Sequence, residues 1–482
     1  MPNESNQTPE IATHPKPENH CPAVKASEKK YAQALAILDG RTRKPMPLHT
    51  VDVVANPLDL NSLRYREIEY SDKTGKPKRM LTPDNVSALI ARINDPEFIA
   101  KVVSGNKPFV LGIATGGTIC MSKNTEGRLE ADPDTSFQNI VNRASTSIAN
   151  DYIVEGLDAY SMDSSELTIN DEGDMVIAMN VIYDQMDDRL KEHFAGFLIT
   201  HGTDTMPNSG AHMIAMEGAN MQYNVVHTGA QKPIGQRNND AEKNVQDSLL
   251  MLDMLKRHGC AEAVTVMGRV ANLTSGITKV DDTADEAMYA YMHEQVINFS
   301  HGVDPDADPL PNWLRKKNRN APADVVVYRG PDRTAETRAK MQTDDIGLRA
   351  AIRHGRELAH FVISYGAGTF DPRIADIIGD EIAKKGIPLF AFGPAHNVPM
   401  IGKYAAGPLE NAGATPVGMT KEMGAARVMR AAAQHYRESD VQKDGSMPKH
   451  VSDLIRSELV RNLAGEIPQK GINQRETGKR DK

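Results

Sequence analysis

Two short runs of threonine and glycine, one of them with a carboxylate, hold the residues best suited to chemistry. The first, Ala114-Thr115-Gly116-Gly117-Thr118-Ile119, closes the apolar stretch Phe109 to Ala114; the second, Ile199-Thr200-His201-Gly202-Thr203-Asp204-Thr205, closes Gly196 to Thr200. Ligands of open α/β sheets bind at the carboxyl ends of strands, and a glycine pair there lets backbone N–H groups approach a substrate closely. Together the runs bring at least two hydroxyls and one carboxylate to one sheet edge, the materials of a nucleophile and a substrate clamp. A phosphate-binding loop is the rival for the first run, but the Walker-type and GxGxxG spacings are both absent. A plain tight turn, a satisfied histidine at His201 and a helix cap at Asp204 are the structural alternatives.

A threonine hydroxyl is nearly unreactive at neutral pH and needs a neighbouring base, a task that suits a desolvated lysine. Lys279, in the run Leu273 to Asp282 that reads LTSGITKVDD, is the candidate. It is expected in a small polar loop after the strand Ala263 to Met267, where a merely solvated lysine is the alternative.

These residues require a scaffold that ends strands side by side. Phe109 to Ala114, Gly196 to Thr200, Asn224 to Thr228 and Ala263 to Met267 read as buried strands, and Val245, Leu249, Leu252 and Leu255 recur at helical spacing between the last two. The alternation predicts an α/β fold: a larger N-terminal parallel-sheet domain with helices on both faces, over residues 107–303. A smaller C-terminal α/β domain over 346–437 is expected from the strands Phe361 to Ser364 and Ile387 to Phe392, with a helix from about Ile374 to Lys384 between them. A proline-rich connector, 304–345, separates the two, and its basic run Arg315 to Arg319 reads as a solvated face. An N-terminal extension, 1–106, has a flexible start (1–30), a strand entering a turn near Arg64 to Lys76 and a helix near Val86 to Ile93. A C-terminal extension, 438–482, contains one helix, Val451 to Leu463.

Composition narrows the classes. With 482 residues, 56 Lys and Arg against 64 Asp and Glu, and a net charge of −8, the chain has no general footprint for nucleic acid. No apolar run approaches the roughly 20 residues of a membrane helix, and the first residues lack the order of a signal peptide. Cys21, Cys120 and Cys260 form neither a disulfide framework nor a metal motif. A cytoplasmic protein without metal, membrane or nucleic-acid partner is expected.

The motifs in order, TGGTI, then Asp163-Ser164-Ser165-Glu166, HGTDT, Gly229-Ala-Gln-Lys-Pro and Ile277-Thr-Lys-Val-Asp-Asp, strongly resemble the bacterial-type L-asparaginases, a group that includes glutaminase-asparaginases and asparaginase-like amidotransferase subunits. The resemblance covers about residues 108–437, where Pro408-Leu-Glu-Asn-Ala-Gly and Gly418-Met-Thr-Lys-Glu-Met look like the end of the family's smaller domain. It implies that Thr118 is the primary nucleophile. Thr203, Asp204 and Lys279 resemble the family's second cluster, in which lysine sustains a reactive threonine and aspartate holds the substrate α-amino group. Ser164, Ser165 and Glu166, with Gly202, Thr203 and Asp204, correspond to the segments that grip the substrate. The implied reaction converts L-asparagine to L-aspartate and ammonia through a β-acyl-enzyme, without cofactor, in a homodimer or homotetramer; L-glutamine is a second candidate substrate.

Three departures stand against the family pattern. Arg128 occupies the position where a flap tyrosine is usual, the loop Ile234 to Ala241 keeps Asp240 but has Ala241 in place of glycine, and Phe392 to Pro399 replaces a serine-containing loop. Two rival readings follow: an ammonia-generating subunit of a tRNA-dependent amidotransferase, with the N-terminal segment as docking element, and a binding protein that has lost catalysis.

Overall fold

Nearly continuous runs of apolar residues build a central sheet whose strands are buried on both faces. The computed structural model describes residues 52–63, 81–123, 129–131, 136–144, 151–164, 167–234, 236–281, 284–290, 295–303, 310–318, 320–329, 359–363, 386–392, 413–436 and 446–461. Its strands are β1 (Asp52–Val53), β2 (Phe109–Gly116), β3 (Met121–Lys123), β4 (Leu129–Ala131), β5 (Ile153–Met162), β6 (Phe194–Thr200), β7 (Val225–Thr228) and β8 (Ala263–Met267). They continue with β9 (Val270–Leu273), β10 (Ile277–Lys279), β11 (Met288–Ala290), β12 (Ile297–Asn298), β13 (Tyr328–Arg329), β14 (His360–Ile363), β15 (Leu389–Phe392) and β16 (Thr415–Val417). The α-helices are α1 (Pro83–Ile93), α2 (Pro96–Gly105), α3 (Phe137–Ala144), α4 (Ile169–Gln185), α5 (Asp188–His193), α6 (Met206–Glu217), α7 (Ala241–Arg257), α8 (Lys421–His435) and α9 (Lys449–Val460).

Seven strands form the main sheet in the order β12-β9-β8-β7-β6-β2-β5. From β8 through β5 all pairings are parallel. At the other edge β9 returns antiparallel to β8 and β12 antiparallel to β9, so the sheet is mixed rather than wholly parallel. A tight turn at Gly268 and Arg269, both with positive φ, permits that reversal.

Side chains alternate across the strands and separate two cores. Phe109, Leu111, Ile113, Phe197, Ile199 and Val225 point into one, with residues of α1, α2, α4 and α6. Val110, Ala114, Leu198 and Val226 point into the other, with α3 and α7. Helices therefore cover both faces. Gly112 and Gly156 make room for Phe137 of α3, since a Cβ would approach its ring to 1.9 and 2.4 Å respectively.

Helix α1 starts where Thr82 and Asn85 form a capping box ahead of Pro83, a first-turn arrangement that satisfies otherwise orphaned N–H groups. Its Val86, Leu89 and Ile93 share the core of Phe109 and Ile153, so this part of the N-terminal region is integral to the sheet's packing. β1 pairs with β13, which sets Asp52 and Val53 against the stretch expected to be a connector. There Arg329 is buried in an ion pair with Asp174 of α4 at 2.5 Å and donates to the Asn170 and Ser62 carbonyls. A three-stranded parallel sheet, β14-β15-β16, follows, packed with α8 and α9. The helix expected at Ile374 to Lys384 and the strand near Arg64 lie outside the described residues.

Candidate functional site

The two threonine-rich turns meet because the strands that carry them are neighbours. β2 and β6 run parallel with Ala114 opposite Thr200, and the buried Thr115 hydroxyl donates to the Thr200 carbonyl at 2.9 Å, closing the two ends together. On the far side His201 N–H donates to Thr228 O at 2.8 Å, which ties the second turn to β7.

Glycine is required at the contact. Gly116 and Gly117 have φ of 101° and 78°, and a Cβ on Gly117 would come within 2.4 Å of the Gly202 nitrogen. Both the backbone shape and the close approach exclude a side chain. A Cβ on Gly202 would in turn strike Ser164 Oγ at 2.4 Å, so TGGT, HGTDT and the Ser164 segment stack directly. Thr205 Oγ1 completes the stack by donating to Ser164 O at 2.9 Å.

Above this stack opens a cavity of about 540 Å³, lined by Thr118, Thr203, Asp204, Gln231 and Lys279. Lys279 Nζ lies 3.2 Å from Thr203 Oγ1 and 2.5 Å from Asp204 Oδ1. Thr203 is buried, Lys279 is nearly so with 13% of its side chain exposed, and Asp204 is 67% exposed at the mouth. A hydroxyl, an amine and a carboxylate thus form a connected set, and half-buried Thr118 lines the same space. Such a set can attack a carbonyl carbon, move the proton released and hold a cationic group.

Lys279 reaches the site from a strand rather than from the polar loop expected. It ends β10, which pairs antiparallel with β11, Lys279 opposite Met288. The hairpin's backbone hydrogen bonds set the lysine's direction, and its register is not readable in a three-residue segment.

Of the residues expected at the site, Thr118, Thr203, Asp204 and Lys279 come together. Ser164 and Gly202 are buried beneath the turns and are not among the cavity's lining residues. Ser165, Glu166 and Arg128 lie outside the described residues. Gln231, inside the GAQKP run, is a lining residue that residue type alone does not mark. The signal that could have revealed it is Asp240: its buried carboxylate accepts from the Gln231 and Lys232 N–H groups at 2.9 Å each and from Asn244, holding the loop in the cavity wall.

Two buried histidines, His201 in the second turn and His227 on the neighbouring strand β7, lie behind the site. His201 Nδ1 lies 2.7 Å from Gly202 O; the carbonyl can only accept, so the proton sits on Nδ1. Burial holds His201 below the ordinary imidazole range. His227, on β7, finds no partner for either nitrogen among the described residues. Burial, and then nearby His201, pushes it down to about 3 from 6.5.

Between those values the unfolded chain binds a proton at His227 that the folded chain refuses, so stability rises with pH across the window and is lost on acidification. Glu217, pushed up to about 7 by burial, has the opposite sense from about pH 4.5 to 7, so wild type must be compared with a variant that leaves Glu217 in place. In urea titrations the stability lost by wild type between pH 7 and pH 5 is expected to shrink by about 2 kcal/mol in His227→Leu. Equal losses in both proteins would mean that His227 is charged in the fold.

Residues 109–309 match the family model described as Asparaginase, N-terminal. The thermostable L-asparaginase from Thermococcus kodakarensis has a TM-score of 0.54 and 22% identity, with 74% of this chain and 99% of that one covered. L-asparaginase I from Vibrio cholerae O1 biovar eltor has a TM-score of 0.52 and 15% identity, covering 75% of this chain and 99% of its own. A human protein named 60 kDa lysophospholipase is 41% identical over 81 residues, which are 17% of this chain and 14% of that protein's length. Residues 109–309, which hold the threonine turns, are thus similar to the N-terminal domain of asparaginases, and the chain has the fold of the L-asparaginases.

Proposed function

We propose that the protein hydrolyses the side-chain amide of L-asparagine, releasing ammonia and L-aspartate, with Thr118 as nucleophile. The observation that carries this reading is the meeting of Thr118 with the Thr203, Asp204 and Lys279 set in one cavity. Thr118 Oγ adds to the amide carbonyl carbon and loses its proton, the carbon–nitrogen bond breaks, and ammonia departs after taking up a proton. Water then adds to the resulting ester, restoring the Thr118 hydroxyl and releasing the new carboxylate. Lys279 and Thr203 handle the proton, and Asp204 at the mouth receives the substrate α-ammonium. That ammonium competes with Lys279 for the same carboxylate, so substrate binding would turn the lysine toward Thr203.

The lining supports an amino-acid amide over a long acyl chain. All of its described residues are polar, whereas sites for apolar ligands are walled mainly by apolar and aromatic side chains. A homodimer or homotetramer and a cytoplasmic location are part of the same proposal; among the described residues no helix is long and apolar enough to cross a membrane. The deciding experiment is ammonia release from a panel containing L-asparagine, L-glutamine, succinamic acid and a lysophospholipid. Release from L-asparagine supports the proposal. No turnover of either amino-acid amide, or fatty-acid release instead, refutes it.

Asp204→Asn tests the clamp separately. Measured by calorimetry in a Thr118→Ala background that prevents turnover, L-asparagine binding is expected to weaken by about 1.5–3 kcal/mol, the scale of a charge-assisted hydrogen bond. Succinamic acid, which lacks the ammonium, should bind both forms nearly equally. An equal loss for the two ligands would place the ammonium contact elsewhere.

A further inference from the structure

Helix α8, far along the chain, touches both elements that arm the cavity. Near its middle, buried Arg430 donates to the Ala215 and Met216 carbonyls at 2.7 and 3.2 Å, at the end of the helix that HGTDT begins. At its start, Thr420 caps the first turn by accepting from Met423 N–H at 3.2 Å. Two residues on, Glu422 Oε1 accepts the Thr278 hydroxyl at 2.9 Å.

Thr278 directly precedes Lys279 on β10. Consecutive strand residues project to opposite faces, so the strand is gripped from one side by Glu422 while its other side sends Lys279 to Thr203 and Asp204. The second Glu422 oxygen is buried without a hydrogen-bond partner among the described residues. A buried carboxylate oxygen left unpaired is costly, although the positive end of the helix offsets part of that cost. A glutamate at this position is therefore not accounted for by its own solvation. The hydroxyl it holds is the contact that explains it.

We propose that Glu422 is a positioning residue: through Thr278 it fixes the strand that presents Lys279, so the C-terminal part of the chain sets the reach of the lysine. The kinetic consequence rests on the amidase reading above, whereas the structural consequence does not. If Lys279 is displaced, proton handling suffers while the cavity walls that hold the substrate stay in place. Glu422→Ala should therefore lower kcat by about 10- to 100-fold, the cost of a misplaced catalytic group, with KM changed less than about twofold. Glu422→Gln keeps an acceptor oxygen and should recover most of the loss, while Thr278→Val should reproduce it.

Hydrogen exchange followed by mass spectrometry supplies a readout that needs no turnover. In folded Glu422→Ala and Thr278→Val, amides of β10 and β11 should exchange at least about 10-fold faster, with β2 and β6 unchanged, because local opening is independent of the global transition. Faster exchange confined to that hairpin, cured in Glu422→Gln, supports the proposal. Unchanged exchange in both substituted proteins, or faster exchange throughout the sheet, overturns it. If the wild type hydrolyses no amide, the amidase reading fails and the exchange result still decides the clamp. If the wild type is active and Glu422→Ala matches it, the clamp fails and the amidase reading stands.

Discussion

Replacing Thr118 by alanine is expected to reduce kcat for L-asparagine by about 10⁴-fold or more, the scale seen when a nucleophile that acts within a set is removed. The residue ends the TGGT turn, half-buried and facing the cavity. Its loss should change stability by no more than about 0.5 kcal/mol, because it supports no packed core. Denaturant titration and rapid-quench mass spectrometry are the measurements. The wild type should accumulate a covalent adduct of the acyl group on the peptide containing Thr118, and the variant should not. A folded Thr118→Ala protein that still turns over and still forms an adduct would transfer the nucleophile's role to Thr203, the hydroxyl already within 3.2 Å of Lys279.

The second large effect is expected from Lys279→Met. A positioned general base contributes typically about 10²–10⁴-fold, and Lys279 supplies the amine that Thr203 meets. Methionine keeps the length and apolar stem while removing the proton acceptor and the positive charge. Activity should fall by that factor. Asp204 also loses its 2.5 Å partner, so binding of the substrate ammonium should be retained or strengthened while turnover collapses. A variant with wild-type kcat would reduce Lys279 to a partner of Asp204.

The two predictions draw on different levels of the protein. The strand-end positions of Thr118, Thr203 and Asp204 were legible in sequence because turn shape is local. A glycine pair between threonines at the end of an apolar run can be read without knowing the fold, and strand ends in an α/β sheet are where ligands bind. The helices α1, α7 and α9 and the strands β2, β6, β7 and β8 were legible for a similar reason, since periodicity and caps are properties of a few neighbouring residues.

Helix α4 shows where that reading stops. Asn170, Asp171, Glu172 and Asp174 make its first turns strongly polar, yet it is buried from Ile169 to Ile182. Asp171 is met locally by Thr168 in a capping box, but two other charges are met from elsewhere: Glu172 by Ser209 and His212 at 2.8 and 2.6 Å, Asp174 by Arg329 at 2.5 Å. Those partners lie 37, 40 and 155 residues away, and no pattern on one helix encodes them. β10 is hidden for another reason: three residues carry no periodicity, and only its partner β11 makes it a strand.

Residue types and their order in the chain mark the candidate groups and place them at strand ends. Tertiary structure decided which of those groups touch. Residue type and turn conformation are local, so they survive in a linear text. The contact of Gly117 with Gly202, the reach of Lys279 to Thr203 and the grip of Glu422 on Thr278 join residues 85, 76 and 144 positions apart. Such contacts exist only after the chain has spent its conformational entropy on a single packed arrangement, in which the site's distances are set by the sheet, the glycines and the helices behind it.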